Sequence, residues 1–143
     1  MKIIQLIPIA SLLFFFSCES SKINETGTVE NINRVAVAET SQDINVSQFK
    51  ELINSEAIIL DVRRPVEFSA GHLENAININ YFDNDFIDQV SKLDKSKTLL
   101  IHCASGGRSS GAMNKLKGNG FSTMYNMLGG FSAWQKAGFK VIK

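Results

Sequence analysis

The chain predicts an α/β fold: a central parallel sheet flanked by helices on both faces. Three observations carry that expectation. Short, continuous apolar runs alternate with amphipathic segments along residues 44–143. The apolar runs are rich in Ile, Leu and Val with no polar alternation, as strands buried on both faces require. Turn signals separate each run from the next amphipathic segment, which is the rhythm of strand–helix units and not of hairpins.

The elements follow in order. Ser47 reads as a helix N-cap, and Phe49, Leu52 and Ile53 behind it share one helical face. Ala57-Ile-Ile-Leu-Asp-Val62 is the first buried strand. Arg64-Pro65 forces extended geometry and then opens a short helix that ends at Gly71. Ala76–Ile79 is a second, short strand. Phe86, Ile87 and Val90 give the next helix its apolar stripe, with Asp83 or Asn84 as cap. Thr98–His102 is the third strand. Ser109 opens a helix lined by Ala112, Met113 and Leu116, and Gly118 or Gly120 stops it. Ser122–Met127 is a further strand, and Gly129-Gly130 leads into a last helix carrying Phe131 and Trp134, read as core residues. Lys115, Lys117 and Lys136 read as solvated surface.

The first 43 residues are of another kind. Lys2 precedes an apolar stretch, Ile3–Phe16, of a length that suits a secretory signal and is short for a membrane span. Phe-Phe-Ser17-Cys18 then resembles a bacterial lipobox, in which a signal is cut before a cysteine that receives lipid. The resemblance implies residues 1–17 as signal peptide, lipidation at Cys18, and a tether over 18–43. It places the domain outside the cytoplasm, in the periplasm or anchored to the outer membrane of a Gram-negative bacterium. An ordinary cleaved signal is the alternative. Residues 19–43 lack aromatics and are rich in Ser, Asn, Thr and Glu, as a flexible tether should be. Arg34–Ala38 is a candidate short edge strand.

The 143 residues give one domain, and a net charge of +1 with no basic stripe argues against nucleic-acid binding. Two cysteines and two histidines in the whole chain exclude a zinc or iron–sulfur framework by spacing. With Cys18 lipidated, Cys103 is the one thiol of the domain and has no disulfide partner.

Cys103 ends the Thr98–His102 strand, where open parallel sheets place their chemistry. The loop Ala104-Ser105-Gly106-Gly107-Arg108 follows, then Ser109. Glycines that let amides turn inward, a helix N-terminus and an arginine all favour thiolate over thiol. Ala104 to Ser109 is therefore a candidate anion cradle, with Arg108 either contacting the anion or bracing the loop. Asp61 is read as tying down the loop behind its strand, Arg63 as pairing with Glu67, and His72 as satisfying backbone groups. His102 should point away from the thiol, since neighbours on a strand face opposite ways.

The loop Cys103-Ala-Ser-Gly-Gly-Arg108-Ser109 resembles the active-site loop of the rhodanese (thiosulfate sulfurtransferase) family. Asp61-Val-Arg63, Glu67-Phe68, Gly71-His72-Leu73 and Ala76-Ile-Asn-Ile79 are similar to that family's N-terminal signature. Leu128-Gly-Gly-Phe131, Ala133-Trp134 and Ala137-Gly138 are similar to its C-terminal signature. Asn75 stands where the family has glycine, so the turn there calls for a left-handed residue that asparagine tolerates. The tail near Lys140 lacks the family's proline. The resemblance implies the rhodanese-like three-layer fold over 44–143 and a two-step transfer. Cys103 takes a sulfane sulfur from a donor such as thiosulfate, and a thiol or cyanide acceptor then removes it. No metal or organic cofactor is called for.

Two alternatives stay open. Rhodanese-like domains also serve as non-catalytic binding or regulatory modules. His102-Cys103 with a downstream arginine also resembles cysteine phosphatases and arsenate reductases, whose loop holds one residue more than the four between Cys103 and Arg108.

Overall fold

The computed structural model describes residues 39–143. The signal, the lipidation call at Cys18, the Arg34–Ala38 strand and most of the tether lie outside the described residues.

Ten elements alternate along the described residues. They are β1 (Thr40–Ile44), α1 (Val46–Leu52), β2 (Ala57–Asp61), α2 (Pro65–Ser69), β3 (Ile77–Asn78), α3 (Phe86–Val90), β4 (Thr98–His102), α4 (Gly107–Leu116), β5 (Thr123–Met127) and α5 (Gly130–Lys136). The five strands form one parallel sheet in the order β1-β5-β4-β2-β3. β4 is central and β1 is an edge.

The expected boundary at Ile44 needs correction. Thr40–Asp43 pair with β5 from Thr123 to Asn126, so this end of the tether belongs to the sheet. A mostly exposed edge strand needs only one apolar contact, Ile44, and therefore lacks the apolar run that marks a buried strand.

Alternation of side chains divides the core into two layers. Leu60, Val62, Leu99, Ile101 and Cys103 face α3 and α4, packing on Phe86, Val90, Ala112, Met113 and Leu116. Ile59, Leu100 and Met127 face α1 and α5, packing on Phe49 and Trp134. Cys103 and His102 thus leave the same strand end on opposite faces, as expected.

Local chemistry sets the helix ends. The cap of α1 is Asn45 and not Ser47: Asn45 Oδ1 accepts from Ser47 N and Gln48 N at 3.0 Å each, and Gln48 Oε1 accepts back from Asn45 N at 3.0 Å. That reciprocal box needs Gln three positions after its cap, which Ser47 lacks. α4 begins two residues before Ser109, because Gly106 caps it with φ +103°. α3 is preceded by Asp85, one position beyond the two expected caps. Asn75 sits at φ +61°, the left-handed residue that its turn called for.

Candidate active site

β4 delivers Cys103 to the carboxyl edge of the sheet, and the next four residues curl back over its sulfur. Gly106 N–H donates to Cys103 Sγ at 3.2 Å, and Ser109 Oγ–H donates to it at 3.5 Å. The same hydroxyl lies 3.1 Å from Gly106 O, so its one proton is shared between that carbonyl and the sulfur. Burial pushes the thiol up, but hydrogen bonds from the Ser109 hydroxyl and from the Ser109, Ser105 and Gly106 amides outweigh it. The Cys103 pKa lies below its ordinary value. Cys103 is the free cysteine of the described residues and only 1% exposed.

The loop is held from behind by α5. Phe131 N donates to Cys103 O at 2.7 Å, and Ser132 N to Ala104 O at 3.0 Å. This close approach needs Gly130. A Cβ there would stand 2.5 Å from Cys103 O and 2.8 Å from Ala104 C and Ser105 N. The C-terminal Gly129-Gly130 pair therefore shapes the cradle although it contributes no group to the sulfur. Sequence reasoning saw these glycines as a helix start and as part of the C-terminal signature, with no role at the loop.

Arg108 lies on the rim. Its guanidinium makes a two-pronged pair with Glu67 of α2, Nη1 to Oε2 at 2.8 Å and Nη2 to Oε1 at 2.7 Å. The hydrogen bond from Arg108 chiefly, against some burial, holds the Glu67 carboxyl down at about 2, helped by the Arg64 amide. Glu67 in turn raises the Arg108 pKa, and Cys103 adds a smaller contribution in the same direction. Arg108 thus braces the loop, one of the two roles allowed for it, with its charge matched by a carboxylate.

The expected Arg63–Glu67 pair is replaced by another. Arg63 is buried and turns to Asp61: its backbone N–H donates to Oδ1 at 3.0 Å, and Nε donates to both carboxylate oxygens at 2.9 Å. Nη2 reaches Asp61 Oδ2 and also Gly71 O at 2.8 Å. Asp61 does tie down the loop after β2, and its fully buried charge takes the nearest cation. Arg63 lies over the Phe131 ring at 4.0 Å, which joins this buried pair to the start of α5.

His102 is packed under the sheet between Phe49 and Phe131, as a structural residue. Burial first, and Arg63 second, push its pKa down to about 4 against the pull of Asp61, so the ring is neutral at pH 7. Nε2 stands 3.6 Å from Asp61 Oδ2, beyond hydrogen-bond length, and is unpartnered. His72 stacks on Phe68 and its Nδ1 lies 3.2 Å from Phe68 O, a backbone-satisfying role. Among the described residues no group of three His, Cys, Asp or Glu side chains is arranged to hold a metal ion.

A strand-end thiol, an amide cradle and a bracing arginine are now placed, and residues 45–137 match the family model described as the Rhodanese-like domain. The chain belongs to the rhodanese-like domain family. The rhodanese-like chain is similar to thiosulfate sulfurtransferase 16, chloroplastic, of Arabidopsis thaliana, at 37% identity over 105 residues covering 66% of this chain and 88% of that protein. It is also similar to Protein HIGH ARSENIC CONTENT 1, mitochondrial, of the same plant, at 35% identity over 111 residues covering 71% of this chain and 66% of that protein. A crystal structure of a rhodanese-related protein from Thermoplasma volcanium superposes with a TM-score of 0.63 at 30% identity, covering 71% of this chain and 97% of the other. The five-stranded parallel sheet with helices on both faces is the rhodanese-like α/β fold.

Proposed function

We propose that this rhodanese-like domain is a sulfurtransferase working through a persulfide on Cys103. The observation that carries the reading is the sulfur's own environment: hydrogen-bond donors converge on Sγ and favour its anion. The Cys103 thiolate attacks the outer sulfur of thiosulfate, the S–S bond of the donor breaks, and sulfite leaves with the bonding pair. The Cys103 persulfide anion carries the same charge as the thiolate it replaces. A thiolate or cyanide then attacks the outer sulfur and restores the Cys103 thiolate. Amides of Ala104 to Ser109 are suited to cradle the extra sulfur, as fixed dipoles stabilise a charge that has moved outward by one bond.

The test is intact-mass spectrometry. Incubation with thiosulfate should add one sulfur atom, cyanide should remove it, and Cys103→Ser should never gain it. A protein that gains no sulfur from thiosulfate or any other sulfane donor overturns the proposal.

A second reading is oxyanion chemistry, favoured by the similarity to a protein named for arsenic content. Against it stand the four-residue loop and the pairing of Arg108 with Glu67, which matches the loop's positive charge with a carboxylate. Cys103-dependent arsenate reduction or aryl phosphate hydrolysis would favour it. A purely binding role makes no use of an acidified thiol.

Export and lipid anchoring at Cys18 are part of the same proposal and rest on the sequence of the first 18 residues. Labelled fatty acid should enter the intact protein and be lost in Cys18→Ala; an unlabelled intact protein overturns the anchor.

A further inference from the structure

We propose that a small cavity between α1, α5 and the C-terminal tail is a binding site for a small organic monocarboxylate with an apolar body. The cavity shares no lining residue with the Cys103 loop and is independent of the sulfurtransferase reading.

Three observations converge. First, the cavity holds about 120 Å³, and Ile53 behind α1, Leu73 and Trp134 give it an apolar floor. That volume suits a body of a few carbon atoms and falls well short of the roughly 300–1,000 Å³ that a drug-sized ligand fills. The indole is fixed in place, because Trp134 Nε1 donates to Lys140 O at 2.9 Å. Second, the charge on the wall is unbalanced. Lys140 Nζ donates to both Glu74 carboxylate oxygens, at 3.0 and 3.1 Å, so these two cancel. Lys50 is the remaining cation. Its Nζ stands 5.8 Å from the centre of the Trp134 ring, and among the described residues no carboxylate pairs with it. One unmatched positive charge beside an apolar floor is complementary to one carboxylate on an apolar body. Third, two wall residues are this chain's departures from the signatures that it otherwise matches. Asn75 stands where the signature has glycine, Lys140 belongs to the tail that lacks the signature's proline, and both line this one cavity. Asn75 holds φ +61°, a conformation that glycine adopts more readily, and it brings a carboxamide N–H that can donate to a carboxylate.

Trp134 is the one tryptophan of the chain, so its fluorescence reads this cavity directly. The probe is 3-methylbutanoate, which carries one charge on a branched four-carbon body. It should change the Trp134 emission of the full chain saturably, at roughly millimolar concentration, and raise the melting temperature. Its amide, 3-methylbutanamide, keeps the body and lacks the charge, and acetate keeps the charge and lacks the body. Each should need at least about tenfold higher concentration for the same effect. An amide that binds as well as the carboxylate, or acetate that binds as well as 3-methylbutanoate, would overturn the match of charge to body. No saturable effect on emission or melting temperature would overturn the site itself.

Two variants locate the ligand. Lys50→Gln removes the unmatched charge, and should weaken the carboxylate about tenfold while leaving the amide unchanged. Asn75→Gly removes the carboxamide at a φ that glycine adopts freely, and should weaken the carboxylate about fivefold. Both positions are exposed, and thermal unfolding without ligand confirms that each variant is folded. Unchanged carboxylate affinity in either variant overturns the proposal. Sulfur loading of Cys103 should be the same in both variants as in the wild type, so this site and the sulfurtransferase reading stand or fall by separate measurements.

Discussion

Replacing Gly130 by alanine should loosen the cradle from a position that never touches the sulfur. The added Cβ would meet Cys103 O at 2.5 Å, Ala104 C at 2.8 Å and Ser105 N at 2.8 Å, all backbone atoms with no rotamer to yield. The residue also sits at φ +53°, where an alanine costs about 1–2 kcal/mol relative to glycine. Overpacking of this kind adds about 1–3 kcal/mol. The two together suggest a loss of about 2–5 kcal/mol, or about 10–25 °C in melting temperature for a domain of this size. Relief comes most easily by moving the loop, since α5 is fixed through Trp134 in the core. The Gly106 N–H would then leave Sγ and the Cys103 pKa would rise. Thermal unfolding measures the first effect, and the pH dependence of alkylation by iodoacetamide measures the second. Gly138→Ala is the control: its φ is +73°, and nothing stands within 4 Å of a Cβ there. It should lose only the backbone cost and leave the thiol unchanged. A Gly130→Ala protein no less stable than Gly138→Ala, with the wild-type alkylation profile, would refute the reasoning.

Other outcomes are expected elsewhere. Arg63→Met should leave the buried Asp61 carboxylate uncompensated and cost about 3–5 kcal/mol in urea unfolding, far more than a surface pair would. His102 is held at about 4 when folded and titrates near 6.5 when unfolded, so the unfolded chain takes up a proton first as pH falls. Its contribution is present above about pH 6.5 and is lost toward pH 4; stability at pH 5 should be about 2 kcal/mol below that at pH 8, and His102→Phe should remove that part of the slope. Asn75→Ala should cost about 1 kcal/mol in the same assay, because φ +61° suits asparagine better than alanine.

Much of this molecule is legible in a single sequence because the signals are local. The buried strands β2 and β4 declare themselves as apolar runs, since both faces are covered. β1 does not, because one apolar residue suffices at an edge. The position of Cys103 at a strand end, with a glycine loop and a helix behind it, follows from the same local chemistry. The opposite directions of Cys103 and His102 follow from the pleat alone. The choice of Asn45 over Ser47 as a cap was within reach, since Gln48 stands three positions after Asn45 and not after Ser47.

What the chain order could not decide is which charged group meets which. Glu67 had three arginines within range, Arg63 and Arg64 four and three residues before it and Arg108 forty-one residues on. Spacing favoured the first. The fold settles the matter through burial: Asp61 is wholly enclosed and takes Arg63, which leaves Glu67 for the rim of the loop. Gly130 is similar, for its need to be glycine arises only when α5 is laid against the carbonyl of Cys103. By itself, then, the sequence determined the layers, the strand that carries the thiol and the loop around it, because periodicity and turn chemistry act between neighbours. The tertiary structure alone decided the company that the loop keeps, because ion pairing and close approach depend on what desolvation and packing bring together from distant parts of the chain.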